Sequence, residues 1–399
     1  MKLLVVNQYY APDRVSSGEI LSLLCEGLAK KGIDTHVVCG QPSYRDDSPS
    51  APGYEERDNL RIWRVSTGGA KGRRSMVRRA QGYLGFLFSA YREVKRRIGE
   101  SQYDAVLTLS NPPVVGLLGV SVRSKGGAKY VYVVHDIHPD ILLRSGRITN
   151  GLAINLWNQV NSIIFRNTDA IVVLGSRMAR HLAQQKSVPL EKIHVIPNWP
   201  ISHIQPLPRD NAFRLAHWPH SRFTVLYAGN MGISHNLVWL IDAATQLPDV
   251  TFVFAGEGQK LPMLQELVQR KHLSNIVFLP YQEARSFNEM LCAADVCVVA
   301  LEPELAGLAV PSNTYSALAA GRSVLALTSE DDDVADTVRE WQCGWVARDS
   351  SETVKCILEA SENPDTVEEA GRRARLAFEQ AYSLEQGVAA YADLLTSSP

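Results

Sequence analysis

Val310-Pro-Ser-Asn-Thr-Tyr-Ser-Ala-Leu-Ala-Ala-Gly321 follows the apolar run at residues 296–301 after the intervening residues 302–309. The run reads as a buried strand, Pro-Ser as a short loop, and the remainder as a helix stopped by a glycine. A helix that opens here leaves the backbone N–H groups of residues 312–315 without intrahelical partners. Such donors, reinforced by the helix dipole, favour an anion. In an α/β domain this crevice lies at the carboxyl ends of the strands, where ligands bind. Taken alone, the segment is equally well an ordinary strand–turn–helix crossover, so the neighbouring segments decide.

Around it, strand-like runs at 224–228, 250–254, 276–279 and 323–327 alternate with helical stretches at 237–247, 260–271, 286–293 and 313–320. Upstream the same alternation runs through strands at 2–6, 35–39, 60–65, 105–109, 130–134, 170–174 and 193–196. The segment 18–31 is helical, with Ile20, Leu21, Leu23, Leu24 and Leu28 on its apolar face, and 151–167 and 176–185 are further helices. This order predicts parallel sheets covered by helices. Pro197-Asn-Trp-Pro200, with Pro206 and Pro208 beyond it, reads as a linker. A chain of 399 residues is long for one core. The expectation is therefore α/β, with Rossmann-like domains at 1–200 and 201–379 facing a central cleft.

An apolar share of 45% and a charged share of 21% describe a globular protein, and no apolar run approaches bilayer length. Met1-Lys-Leu-Leu-Val-Val6 enters strand-like sequence without a signal-peptide pattern, which points to the cytoplasm. Cys25, Cys39, Cys292, Cys297, Cys343 and Cys356 are scattered, with neither metal-ligand spacing nor a disulfide framework; buried free thiols are expected. The net charge of −1 hides an asymmetry: residues 1–200 carry 27 cationic and 16 anionic side chains, the remainder 14 and 26. A basic half suggests a polyanionic partner, such as an anionic membrane surface, a lipid diphosphate or a nucleic acid. Nucleic acid is disfavoured, because no RRM, KH or helix-turn-helix signature accompanies the charge.

Several motifs in register carry a resemblance. They are Asn7-Gln-Tyr-Tyr-Ala-Pro12 followed by Gly18, Val134-His-Asp-Ile-His-Pro-Asp140, Ile196-Pro-Asn-Trp199, Tyr227-Ala-Gly-Asn-Met-Gly232 and Ala255-Gly-Glu-Gly258. Leu279-Pro-Tyr-Gln282, Ala293-Ala-Asp295 and Pro311 to Gly321 follow in order. Over nearly its whole length the chain resembles the GT-B fold glycosyltransferases of the retaining family 4 group, near those that build bacterial surface polysaccharides. The resemblance implies two Rossmann-like lobes, with a C-terminal helix, residues 380–399, crossing back to the first.

The implied activity is transfer of a sugar from a nucleotide-diphosphate sugar, UDP-linked by expectation, to a lipid-linked or oligosaccharide acceptor. No cofactor beyond that donor and no protein-bound metal are expected; Asp331-Asp-Asp333 reads as a solvated loop before a helix at 334–341. His135 and Asp136 are the implied catalytic residues, and His135 orients and stabilises, since retention is thought to need no dedicated enzymic base. Asp140 reads as a cap of the helix that follows it. The implied donor site comprises Gly18, Gly229, Asn230, Gly232, His235, Gly256, Tyr281, Gln282, Pro311, Ser312, Asn313, Thr314 and Ser316. Gly229 and Gly232 would let backbone approach phosphate, and a tight turn explains them as well. Tyr281 either flanks the base or packs in the core.

Departures from the family pattern bear on affinity. Leu308 and Ser316 stand where the family has two glutamates, and Asn230, His235 and Asn313 where relatives place cations; Arg14, Lys260 and Arg322 are candidates to compensate. Tyr9, Tyr10, Arg73, Arg74, Arg78 and Arg79 are assigned to the acceptor and membrane side. There an amphipathic basic helix either binds anionic lipid at the inner face of the cell membrane or packs its aromatic residues on the sheet. Two other classes stay open: a catalytically degenerate GT-B scaffold or binding subunit, and a GT-B sugar-nucleotide epimerase.

Overall fold

The computed structural model describes residues 1–13, 15–43, 50–68, 76–218 and 223–397, with backbone alone for 76–80 and 113. The chain divides into two compact units. One comprises Met1–Leu143, Ile148–Ile201 and Leu384–Pro399, the other Arg144–Arg147 and Ser202–Ser383. Each is a Rossmann-like α/β unit.

The first unit holds strands β1 (Lys2–Asn7), β2 (Asp34–Gly40), β3 (Tyr54–Arg57), β4 (Leu60–Val65), β5 (Ala105–Leu109), β6 (Lys129–Val134), β7 (Ala170–Val173) and β8 (Ile193–Val195). Their order is β3-β4-β2-β1-β5-β6-β7-β8, parallel except for β3 against β4. Val5 lies opposite Val37 on one side and Leu107 on the other, all but inaccessible to water. The chain travels outward from β1, returns and continues from β5, so the switch point of the sheet is the β1/β5 boundary.

The second unit holds β9 (Thr224–Ala228), β10 (Thr251–Ala255), β11 (Ile276–Leu279), β12 (Val296–Ala300), β13 (Ser323–Leu327) and β14 (Gly344–Ala347). All pair in parallel in the order β11-β10-β9-β12-β13-β14, with Val298 opposite Tyr227 and Leu325. Side chains alternate between the two faces. Leu226, Val299 and Ala326 fill one apolar cluster, and Val225, Tyr227, Val298 and Leu325 fill the other. Fully burying each Val or Leu stabilises by roughly 1.5–3 kcal/mol against exposure. Here the switch point is β9/β12.

Helix Leu384–Thr396 belongs to the first unit. Val388, Tyr391, Leu394 and Leu395 enter its core with Leu24, Leu28 and Trp199. The fit is close because two glycines allow it. A Cβ on Gly27 would come within 2.4 Å of Val388, and one on Gly387 within 2.2 Å of the Trp199 ring. Lys129 finishes the helix by donating to the carbonyls of Leu394 at 2.6 Å and Ser397 at 2.8 Å.

Four expectations are corrected. Tyr9 and Tyr10, assigned to the acceptor and membrane side, are buried, with Tyr10 in the core of the first unit. Asp331-Asp-Asp333 is not a solvated loop: Asp332 is fully buried and caps helix Asp333–Trp341 by accepting from Val334 N at 2.9 Å. Helix Asn313–Ala319 does not open with all its donors unpaired, since the Thr314 amide donates to the Pro311 carbonyl at 3.2 Å. Arg322 stands at the amino end of β13, remote along that strand from the carboxyl-end loops, and donates to the Leu207 carbonyl at 2.7 Å. Arg14, Arg73 and Arg74 lie outside the described residues, as do the side chains of Arg78 and Arg79. All six cysteines are free thiols, and five of them are buried.

Candidate functional site

At the carboxyl end of β9 and β10, two glycine-bearing loops lie across each other. A Cβ on Gly256 would meet the Gly229 carbonyl oxygen at 2.1 Å, and one on Gly258 the Met231 backbone at 2.4 Å. Both glycines also hold φ values, +131° and +153°, that other residues rarely adopt. The amides of Gly229 and Gly256 are already taken by Ala255 O and Leu279 O, both at 2.9 Å. These glycines therefore serve the mutual approach of the two loops. Gly232 makes room for a side chain instead, its absent Cβ lying 2.6 Å from Asn230 Nδ2.

The crossed loops carry the groups that face the switch point. Tyr227 Oη donates to the Asn230 carbonyl at 2.8 Å, and the His235 amide bonds Gly232 O at 3.2 Å. Burial, with help from the Lys260 charge, pushes the His235 imidazole down to about 4, so it is neutral at pH 7. Lys260 donates to the His235 carbonyl at 2.7 Å and to Glu302 Oε1 at 2.6 Å, and the Glu302 amide in turn bonds Ser234 O at 2.8 Å. Glu302 follows β12, so this ion pair joins the β9, β10 and β12 ends at the switch point. The sequence reading named Lys260 without a position and missed Glu302, which no motif marks.

The loop after β12 completes this end. Pro311 and the exposed Ser312 precede helix Asn313–Ala319, Asn313 Nδ2 donates to Val298 O at 3.3 Å, and Thr314 Oγ1 bonds Pro311 O at 2.7 Å. Asn313 Oδ1 is buried without a hydrogen-bond partner. Ser316 is partly exposed one turn further, and Leu308 is core. Beneath that loop, Asp332 accepts from Gly307 N at 3.4 Å, and burial raises its carboxyl to about 7. Tyr281 is exposed, and Gln282 Nε2 donates to Pro280 O at 2.8 Å beyond β11. The structure thus gathers every implied donor residue of the second unit at the carboxyl ends of β9–β12. Gly18 belongs to the first unit, where a Cβ would lie 3.0 Å from the Tyr9 backbone carbon.

In the first unit His135 and Asp136 follow β6, both partly exposed, with the His135 amide on Ser110 Oγ at 3.3 Å. Burial pushes the His135 imidazole down to about 4 against the pull of the Asp136 carboxylate. Next to them, Asp140 heads helix Asp140–Arg144. Its burial would raise the carboxyl, but His181 at 3.3 Å and Lys186 at 2.5 Å hold it at about 2. Asn161 fixes the same turn by donating to His138 O at 2.7 Å. Asp140 is therefore tied to helix Ser176–Lys186 rather than acting as a cap alone. The pairing partners, more than 40 residues downstream, have no local signature. Among the described residues no group of three or more His, Cys, Asp or Glu could hold a metal ion.

Comparison with known proteins agrees with this layout. The Glycosyl transferase 4-like domain matches residues 17–199, and the Glycosyl transferases group 1 family matches 222–363. WbjE of Pseudomonas aeruginosa, described as a probable glycosyltransferase, is 26% identical over 67% of this chain and 66% of its own length. WcaI of Escherichia coli K12, assigned as a glycosyl transferase of colanic acid biosynthesis, is 25% identical over 83% of this chain and 84% of its own length. Among solved structures, sucrose-phosphate synthase of Thermosynechococcus elongatus superposes with a TM-score of 0.79 at 17% identity, over 99% of this chain and 98% of that one. HepE of Anabaena, in complex with UDP and glucose, gives 0.72 at 17% identity over the full length of both chains. The fold is GT-B, and the chain belongs to the family 4 type of GT-B glycosyltransferases.

Proposed function

We propose that this glycosyltransferase moves a sugar from a UDP-linked donor, with retention of configuration, to a lipid-linked or oligosaccharide acceptor in cell-surface polysaccharide synthesis. The carrying observation is the Lys260–Glu302 pair at the β9/β12 switch point, beside the crossed loops and the Pro311–Ser312 turn. One partly buried ammonium there, paired with Glu302, stands near the uncharged side chains of Asn230, Asn313, Ser316 and neutral His235. A diphosphate needs such a cation together with oriented neutral donors as charge develops on the leaving oxygen. Support for the base comes from HepE, whose complexes hold UDP and UDP-glucose, and support for the pathway from the assignment of WcaI.

In the reaction, the bond between the anomeric carbon and the donor phosphate oxygen breaks as the acceptor oxygen bonds that carbon on the same face. The departing phosphate takes the acceptor proton. His135, neutral at working pH, orients a sugar hydroxyl or backs the developing positive charge through its free electron pair. No enzymic base is required. A thermal-shift panel of UDP-, GDP- and TDP-sugars tests the reading: selective stabilisation by UDP compounds supports it, and no shift with any refutes it.

Membrane association at the inner face belongs to the same proposal. Helix Met76–Glu100 turns Phe86, Ala90 and Val94 inward and leaves Leu84, Phe88 and Tyr91 exposed at helical spacing, next to Arg92, Lys95 and Arg96. Exposed Leu117, Leu152, Leu156 and Ile163 lie on helices of the same unit. Exposed apolar residues among cations suit an anionic bilayer surface. No described helix is long and apolar enough to cross a membrane. Flotation with anionic against neutral vesicles checks this.

A further inference from the structure

One cavity of the second unit is at the wrong end of the sheet for the donor. About 770 Å³ in volume, it is bordered by Phe223, Asp295 and Arg322, which precede β9, β12 and β13. Five-residue strands separate it by roughly 16 Å from the carboxyl-end loops. It is an independent space, within the size range of small-molecule sites.

Its chemistry runs against its surroundings. Residues beyond 200 carry 14 cationic and 26 anionic side chains, yet four guanidinium groups, Arg209, Arg322, Arg372 and Arg375, line this cavity against two carboxylates, Asp295 and Glu368. Asp295 is already occupied: it accepts from Arg209 Nη2 at 3.0 Å and from the Thr224 amide at 2.7 Å. Arg322 uses one nitrogen on Leu207 O, while its Nε is buried with no hydrogen-bond partner. Burial first, and then the neighbouring charges of Arg209 and Arg322, depress the pKa of Arg214 behind the wall, while Asp295 and Asp210 oppose them. A buried unsatisfied donor within a cluster of like charges is stabilised by a bound anion.

The walls have a second property. Residues 206–209 follow the crossing of the chain from the first unit at Ile201/Ser202, and helix Pro364–Ala377 precedes the return crossing at Ser383/Leu384. Two of the chain crossings between the units, at 201/202 and 383/384, therefore lie close in sequence to the walls of this cavity.

We propose that the cavity binds a small phosphate-bearing molecule other than the sugar-nucleotide donor, gripped by Arg209, Arg322, Arg372 and Arg375. The volume exceeds what inorganic phosphate fills, which favours an organic phosphate of sugar-phosphate size. Such a ligand ties the two connecting segments to each other.

The test is thermal unfolding of the full chain with inorganic phosphate and, separately, a hexose 1-phosphate. It is run on the unaltered protein, Arg322→Gln, Arg372→Glu and the control Arg285→Glu. Among the described residues Arg372 pairs with exposed Glu368 and Glu369, so its replacement leaves the fold standing even where Arg322→Gln does not. Arg285 is exposed on another face. Either probe should raise the midpoint of the unaltered protein and the control, with apparent affinity weakened roughly tenfold or more in the cavity variants. A larger shift with the hexose phosphate identifies an organic ligand; equal shifts with both probes identify the inorganic ion. No shift with either probe, or the same shift in all four proteins, overturns the proposal.

Discussion

The Lys260 ammonium meets the Glu302 carboxylate at 2.6 Å while donating to the His235 carbonyl at 2.7 Å, so one cation ties three strand ends together at the switch point. Its side chain is 17% exposed, enough to reach a ligand and little enough to feel reduced screening. Lys260→Met should weaken binding of a nucleoside diphosphate by about 10- to 100-fold, the scale of losing a charge-assisted contact. Calorimetric titration with UDP reads this directly, and unchanged affinity would move the diphosphate elsewhere.

His135→Ala should reduce transfer by roughly a hundredfold or more while leaving the melting temperature within a few degrees. Because the imidazole titrates near 4, the pH–rate profile should show no His135 limb between pH 6 and 8. An acid limb near the ordinary histidine value that disappears in His135→Ala would contradict the neutral assignment.

His135 and His235 also tilt stability. Both fold with pKa values near 4, below the ordinary 6.5, so the unfolded chain binds protons that the folded chain refuses. Their contribution is intact above about pH 6.5 and is lost as pH falls towards 4. Asp332 has the opposite sign. Its carboxyl is raised to about 7, so the folded state is favoured at low pH and loses that advantage as pH climbs from about 4 to 7. Asp332→Asn keeps an acceptor for the Val334 amide and removes the charge. The variant should melt higher than the unaltered protein at pH 8 and no higher at pH 4.

Gly256→Ala places a methyl carbon where the Gly229 carbonyl oxygen already lies, at a φ of +131°. Backbone strain of about 1–3 kcal/mol is expected before any repacking. Denaturant titration should show the loss in midpoint, and donor affinity should fall with it because the two crossed loops separate.

Ser316→Glu supplies the carboxylate that the family resemblance implies at this position. If the nucleotide ribose is held at this turn, donor affinity changes measurably; identical titration curves would place the ribose contact at another residue.

Much of this architecture is legible in residue order, and the exceptions have physical reasons. Buried parallel strands such as Val296–Ala300 announce themselves as unbroken apolar runs, because both faces are covered. β3, reading Tyr-Glu-Glu-Arg, gives no such signal: it is a mostly exposed edge strand held to β4 by backbone pairing and by ion pairs such as Glu56–Arg61 and Glu55–Arg64. The donor-side loops are found because glycines at forced backbone angles are visible as letters. Their purpose is not, since the same glycines serve loop crossing as readily as phosphate approach. Asp332 reads as solvated amid its acidic neighbours, and only the fold reveals that it is buried beneath Gly307. Partnerships such as Asp140 with Lys186, or Lys260 with Glu302, depend on distances no spacing rule encodes.

Helix Leu384–Thr396 supplies Val388 and Tyr391 to a core otherwise built from the first two hundred residues. During synthesis the early half must therefore wait, its hydrophobic wall unfinished, while the contiguous stretch 202–383 can collapse on its own. The wall of that first core is thus complete only once the last helix has been made, long after the strands it covers.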